Sequence, residues 1–464
     1  MFPRIRRVWA AHLLTPEGWR SPAALELDAA GLITTIHASE PEAWRGQDVL
    51  RLAGFVVPGL PNLHSHAFQR ALSGRTELWT AGGDDFWSWR DLMYRVAGQI
   101  TPDEQQDLAT ALYVECLEAG MTSVAEFHYV HHDPSGRRYA EPATMSLSLV
   151  AAAELAGLGL TLLPVLYQHG GLGQPATAGQ RRFLHPHVDE YLRLVERLLA
   201  IPGLTVGIAP HSLRAVDAAS LRQAVEAFAR LSPQGPIHLH IAEQTAEVEQ
   251  CLQHLGARPV SWLLDHHTVD ARWCLVHATH VDSGEVARLA HSGAVAGLCP
   301  TTEANLGDGL FPAADYLAAG GALGVGSDSH ATVSPFEELR LLEYGQRLVR
   351  RRRNVLGHAH TPRMGQRLWS SAVEGGARAL GRAHAGLTVG APADLVMLEP
   401  THPRLCGHGP ETVLDAAIFG SAERPVREVV ARGQHVVHGG RHLAHAAVWS
   451  RFERTLAGLL ARAG

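Results

Sequence analysis

Eight short apolar runs lie between residues 55 and 330, each after the first preceded by a stretch of helical periodicity. No other feature of the chain restricts its fold as much. The runs are FVVPGLPNLH, TSVAEFHYV, LTLLPVLYQH, LTVGIAPHSL, PIHLHIAEQ, RWCLVHATH, GAVAGLCPTTE and GALGVGSDSH. Most are apolar on both faces, as strands of a parallel sheet covered by helices must be. The first intervening helix carries its own boundary signals. Thr101 is set to cap it, Pro102 takes the first helical position, Glu104 the reciprocal capping position, and Gly120 closes it. Further helices are expected over 143–157, 188–200, 217–231, 245–255, 283–291 and 313–319. Eight such units in about 330 residues predict a (β/α)8 barrel. An open doubly wound sheet would need a glycine-rich phosphate turn after its first strand, and none is there.

The two ends differ from this middle. Residues 1–57 hold strand-like runs broken by Gly and Asp, and a similar texture returns in GLTVGAPADLVMLEP and VREVVARGQHVVHGGR. The expected organisation is therefore a barrel over 58–385 and a small β-sandwich built from 1–57 and 386–464, with a terminal helix. A length of 464 residues suits one large domain and a smaller one.

A barrel predicts where chemistry should sit, at the C-terminal ends of its strands. The polar residues there are His64/His66, His128/Tyr129, Tyr167/Gln168, His211, His240/Glu243, His277, Thr301/Thr302/Glu303 and Asp328. Turn chemistry favours Gly, Ser or Asn at such points and does not account for so much histidine. In an extended strand, residues i and i+2 point the same way, so His64 and His66 present two imidazoles together. His238 and His240 share that spacing, and His240 is nearer the strand end. His64, His66, His240 and Asp328 would make an open site of the catalytic zinc type. Glu243 is suited to move a proton, His277 to polarise a substrate, and Asp328 to accept a hydrogen bond from water. That chemistry is hydrolysis or deamination without a covalent enzyme intermediate.

Composition sets limits on this. The chain has 29 His, so His185/His187, His358/His360 and His131/His132 are expected to be ordinary structural or loop residues, and the arginines of 350–353 a solvated helix face. All 40 basic residues are Arg. Without lysine there is no Schiff base, no phosphate-cradling lysine and no lysine-derived metal ligand. A net charge of −6 argues against nucleic acid or an anionic membrane as partner. The five cysteines are scattered with no C-x-x-C pair, and neither a secretory leader nor a membrane span is evident, so the expected location is cytoplasmic.

PGLPNLHSH, HIAEQ, LVHATH and GSDS together resemble the amidohydrolase superfamily, and GLTVGAPADLVML is similar to the segment that re-enters the small domain of such chains. The likeness covers essentially the whole chain. Many members hold two metals bridged by a carboxylated lysine, which the absence of lysine excludes here, leaving the mononuclear type. NLHSHAFQRAL, DDFWSWRDLMYR, SVAEFHYVHHD, HSLRAV and TTEANLGDG are similar to the branch that deiminates N-formimidoyl-L-glutamate. This resemblance implies one zinc ion on His64, His66, His240 and Asp328, with Glu243 as acid and base beside His277. It also implies substrate contacts from Gln69, Arg90, Tyr129, His211 and Arg214, and a possible homodimer. Two carboxylates on the substrate call for guanidinium groups, and Arg90 lies in an aromatic stretch (Phe86, Trp87, Trp89) long enough to act as a lid. A mononuclear aminohydrolase acting on a purine or pyrimidine is the alternative. A non-catalytic metal- or ligand-binding barrel is a third, which would tolerate Glu243→Gln.

Overall fold

The computed structural model describes residues 2–77 and 86–463, with the side chains of 86–88 left out. Phe86 and Trp87, expected in a lid, therefore have side chains outside the described residues. Eight parallel strands form the barrel: Leu60–Ser65, Met121–His128, Gly159–Leu166, a fourth in two pieces (Thr205–Val206 and Ala209–Pro210), Ile237–Ile241, Trp273–His277, Val295–Leu298 and Ala322–Val325. They hydrogen-bond as two half-sheets. Single parallel bridges join the halves, Ile208 to Ile237 and Ser212 to His240 on one side and Ser65 to Asp328 on the other. The fourth strand breaks at Gly207, where a Cβ would stand 2.5 Å from the Pro236 carbonyl oxygen.

The helices sit where apolar periodicity and caps put them. Pro102–Ala119 opens on a reciprocal capping box between Thr101 and Glu104 and ends at Gly120, whose φ of 94° suits glycine. Thr144–Ala156, Val188–Leu199, Ala218–Leu231, Thr245–Leu255, Ser283–Ser292 and Ala313–Ala318 follow the expected spans to within a residue or two at each end. Helix Met364–Ala379 packs closely on the barrel, and a Cβ on Gly375 would lie 2.0 Å from the Leu323 carbonyl oxygen.

Three local expectations are corrected. FVVPGLPNLH is not one strand. Leu50–Pro58 belongs to the terminal sheet and Leu60–Ser65 to the barrel, with the chain crossing between them at Gly59. Thr301, Thr302 and Glu303 do not extend the seventh strand but open a short helix, Pro300–Leu306, because Pro300 cannot donate to a strand ladder and suits a first helical turn. Of the arginines at 350–353, only Arg350 is helical. Arg351 caps the helix in the left-handed region (φ 51°), and the rest lie in an exposed turn.

Nine strands from both ends share one further sheet. Leu50–Pro58 is its seam: it runs parallel to Arg7–Thr15 and antiparallel to Leu395–Leu398. Val8, Leu13, Leu25, Leu52, Val56, Leu395 and Val430 form a core of its own. The last helix, His445–Ala463, lies along Pro102–Ala119, with Thr455 donating to Asp107 at 2.8 Å. Among the described residues, no helix is long and apolar enough to cross a membrane. The architecture is a barrel with an extra β-domain drawn from both ends.

Candidate active site

The first barrel strand ends in His64-Ser65-His66, and its pleat turns both rings into the barrel mouth, with the two Nε2 atoms 3.2 Å apart. Asp328 joins them through backbone pairing. Its N–H donates to the His64 carbonyl at 3.0 Å and its carbonyl accepts from the His66 N–H at 3.2 Å. Its Oδ1 then stands 3.4 Å from His64 Nε2 and 3.3 Å from His66 Nε2. His240 comes from the fifth strand, its ring centroid 4.7 Å from that of His64 and stacked 5.5 Å from that of His66. Ala242, His277 and Asp328 all have positive φ (51°, 67° and 45°), a backbone strain concentrated at the strand ends that carry the polar groups.

The donor set fits a divalent ion. One ligand atom from each of His64, His66, His240 and Asp328 lies within 4.8 Å of the others. His66 Nδ1 is bonded to the Phe127 carbonyl at 2.9 Å and His240 Nδ1 to the His211 carbonyl at 3.3 Å, so each ring keeps an Nε2 lone pair for a ligand. Burial pushes the His64 ring down to about 3 and lowers those of His66 and His240, so all three are neutral, as metal ligation requires. His64 Nδ1 is buried with no hydrogen-bond partner, and its Nε2 lies 3.2 Å from that of His66. A second group, His277, Cys299 and Asp328, shares one residue with the first. Burial raises the Cys299 thiol well above its ordinary value, which keeps it protonated and a poor ligand.

An acid–base layer lies beside these residues. Glu243 Oε1 is 3.8 Å from His277 Nε2, and Glu243 Oε2 accepts from Arg214 at 3.2 Å. His277 Nε2 is also 3.8 Å from Asp328 Oδ2, while its Nδ1 faces Glu303 Oε1 at 3.3 Å. Burial alone would lower the His277 ring, but the carboxylates of Glu243, Glu303 and Asp328 raise it to about 10. A cation on the neighbouring ligands would oppose that charge. Behind this layer, Glu247 accepts from the Glu243 N–H at 3.2 Å and pairs with Arg214 at 3.5 Å. Asp308 accepts a short hydrogen bond from Gln244, and burial, then repulsion from Glu243, pushes its carboxyl up to about 8.

A pocket of about 660 Å³, counting its open mouth, reaches these groups. Gln69, Arg90, Tyr129, His211 and Arg214 all line it, together with His66, His240, Glu243, His277 and Asp328. Gln69 sits in the 3-10 turn directly after His66 and donates to the Tyr129 hydroxyl at 2.7 Å. The expected lid stretch contributes a helix, Phe86–Ala97, whose Arg90 donates to the Tyr167 hydroxyl at 3.0 Å and lies over the Tyr94 ring. His211 stacks on His240 with ring centroids 5.1 Å apart. The decoy histidines point elsewhere. His131, His132 and His238 bond to the carbonyls of Val165, Leu184 and Ala379, and His358 and His360 are exposed. Glu247, Asp308, Met93, Tyr94 and Phe183 carry no motif in the sequence, and Tyr167 and Glu303 are marked there only as strand-end residues. Glu247 alone left a signal, four residues after Glu243.

Residues 55–436 match the amidohydrolase family. The chain is 48% identical to the formimidoylglutamate deiminase of Pseudomonas aeruginosa over 98% of its own length and 99% of that protein. A crystal structure of an amidohydrolase from Brucella melitensis superposes with a TM-score of 0.91 at 44% identity, covering 98% of this chain and all (100%) of that one. An adenosine deaminase from Xanthomonas campestris, solved with zinc bound, shares the fold with a TM-score of 0.80 at 20% identity, covering 99% of both chains.

Proposed function

The chain belongs to the amidohydrolase family, whose members use a divalent metal, and we propose that it is a formimidoylglutamate deiminase. On this reading it hydrolyses N-formimidoyl-L-glutamate to N-formyl-L-glutamate and ammonia, a step of histidine degradation. The near-full-length likeness to the Pseudomonas aeruginosa deiminase supports it. The observation that carries it furthest is one pocket holding a three-histidine, one-carboxylate cluster, a proton-transfer pair and two guanidinium groups.

One zinc ion in the barrel mouth belongs to the same proposal, held by His64, His66, His240 and Asp328. When bound, it supplies the Lewis acidity that makes water nucleophilic near neutral pH. The protein's own groups do the rest. Arg90 and Arg214 bind the two substrate carboxylates, and Gln69, Tyr129 and His211 orient the chain between them. Asp328 accepts a hydrogen bond from the attacking water, and Glu243 takes a proton from it. The water oxygen bonds to the formimidoyl carbon as the C=N bond becomes single. His277 stabilises the charge that develops there. Glu243 then delivers its proton to the terminal nitrogen and carries across the proton that the new hydroxyl loses as the formyl C=O forms, so that the C–N bond breaks and ammonia leaves. Without substrate, Arg214 is engaged by Glu243 and Glu247, so an arriving carboxylate competes with Glu243 for the guanidinium and frees the base.

A cytoplasmic location and a division of the chain at 57/58 and 385/386 also belong to this reading. Four buried cysteines and one exposed, all free, suit a reducing compartment. A purine- or pyrimidine-type substrate draws support from the aromatic lining (Trp89, Tyr94, Tyr167, Phe183), which suits a flat ring. Ammonia release separates the two. The zinc-loaded protein is expected to turn over N-formimidoyl-L-glutamate and to ignore guanine, 8-oxoguanine and adenosine. Turnover of a heterocycle with none of the amidine overturns the proposal.

A further inference from the structure

On the small sheet, remote in sequence from the pocket residues, three ligand-type side chains converge. Strand Val426–Ala431 carries Glu428, and the antiparallel strand Gln434–His438 carries His435 and His438. Regular pleating would turn residues three apart to opposite faces. The pairing, however, slips by one residue: Val429 faces Val437 while Val430 faces His435, a bulge at Val436. The extra residue brings both imidazoles to the same carboxylate. Glu428 Oε2 lies 2.8 Å from His435 Nε2 and 3.0 Å from His438 Nδ1. The other oxygen, Oε1, is held by the Gly439 N–H at 3.2 Å, which fixes the orientation of the carboxylate. Arg427 stands 3.8 Å from Oε1, but its guanidinium is drawn to Glu399 at 2.8 Å.

We propose that Glu428, His435 and His438 form a second divalent-metal site, separate from the one in the barrel mouth and of the zinc class. Its ligand atoms lie within 4.8 Å of one another, and a two-histidine, one-glutamate set is an established zinc donor combination. Glu428 is buried, His435 half-buried and His438 exposed, so the ion reaches the site from solvent and completes its coordination with water. Binding ties together the two strands that carry the chain into its last helix. The site does not depend on the proposed deiminase activity.

The test is zinc stoichiometry by equilibrium dialysis and metal analysis on tag-free protein at micromolar free zinc. The wild type is expected to hold two equivalents per chain. The His435→Ala/His438→Ala double variant, which leaves Glu428 bonded to Gly439, is expected to hold one. The His64→Ala/His240→Ala double variant is expected to hold one as well, which it keeps through the outer site. Circular dichroism and the zinc-free thermal midpoint check that each variant is folded. A single equivalent in the wild type, two in the His435/His438 variant, or none in the His64/His240 variant overturns the proposal.

Discussion

Glu243 and Arg214 meet at 3.2 Å, and that contact makes the two residues separable by kinetics. Replacing Glu243 with Gln removes the proposed proton carrier while leaving every proposed metal ligand intact. The expected result is a fall in kcat of about 10²- to 10⁴-fold with zinc content unchanged, read by steady-state kinetics alongside metal analysis. Arg90→Met is expected to raise KM for the dicarboxylate roughly 10- to 100-fold with little change in kcat, the worth of a charge-assisted hydrogen bond. Arg214→Met should change both constants, because on the proposed mechanism it touches the base as well as the substrate. Unchanged kinetics in both arginine variants would favour the heterocycle reading. At this scale the sequence was informative where a residue's place in a strand fixes its direction. His64, His66, His240 and Asp328 could be found that way. Glu247, Asp308 and Tyr94 could not, because their contacts depend on how loops and helices fold back over the mouth.

Each barrel strand end is held by a neighbour as well as by its own pleat. Glu126, on the second strand, accepts from Ser65 Oγ and the Ala67 N–H, both at 2.7 Å, and so clamps the His-Ser-His segment from the side. Burial pushes its carboxyl from an ordinary 4.5 up to about 7. A folded-state value above the unfolded one favours folding at low pH, and that contribution fades as pH rises from about 4.5 through about 7. Glu126→Gln mimics the protonated form. The difference in stability between wild type and variant, from urea unfolding, should therefore shift in the variant's favour across that interval. A difference independent of pH would exclude this role. Helix Met364–Ala379 makes a simpler test. Gly375→Ala drives a methyl against the Leu323 carbonyl and should cost about 2 kcal/mol or more, measured by the same unfolding. The helices were legible because caps and periodicity are local. The split of FVVPGLPNLH was not, because whether an apolar run pairs with one sheet or two depends on partners far away in the chain.

For the molecule as a whole, the proposed metal would couple stability to activity. The proposed ligands, drawn from the first, fifth and eighth strands, meet at one point, so an ion bound there would hold both barrel halves together. Chelation is expected to abolish ammonia release and to lower the thermal midpoint, and re-adding zinc to restore both. An ion at a thousand times its Kd adds about 4 kcal/mol. Loss of activity with no change in midpoint would mean that the ligands do not bridge the halves. The barrel was legible in the sequence as eight repeats and the small domain as a texture shared by both ends, but the strand order of the terminal sheet was not.

That sheet bears on how the chain is made. Leu50–Pro58 leaves the ribosome early, yet the strand that covers its second edge, Leu395–Leu398, emerges more than three hundred residues later. The barrel likewise cannot close its seam until Ser65 meets Asp328. During synthesis, therefore, an apolar strand with an open edge and an incomplete set of the proposed metal ligands wait together on the nascent chain. Contacts of such long sequence separation form slowly, and open edges invite pairing with other chains. Slow translation or scarce chaperone should harm the yield of this protein well before either affects the finished enzyme.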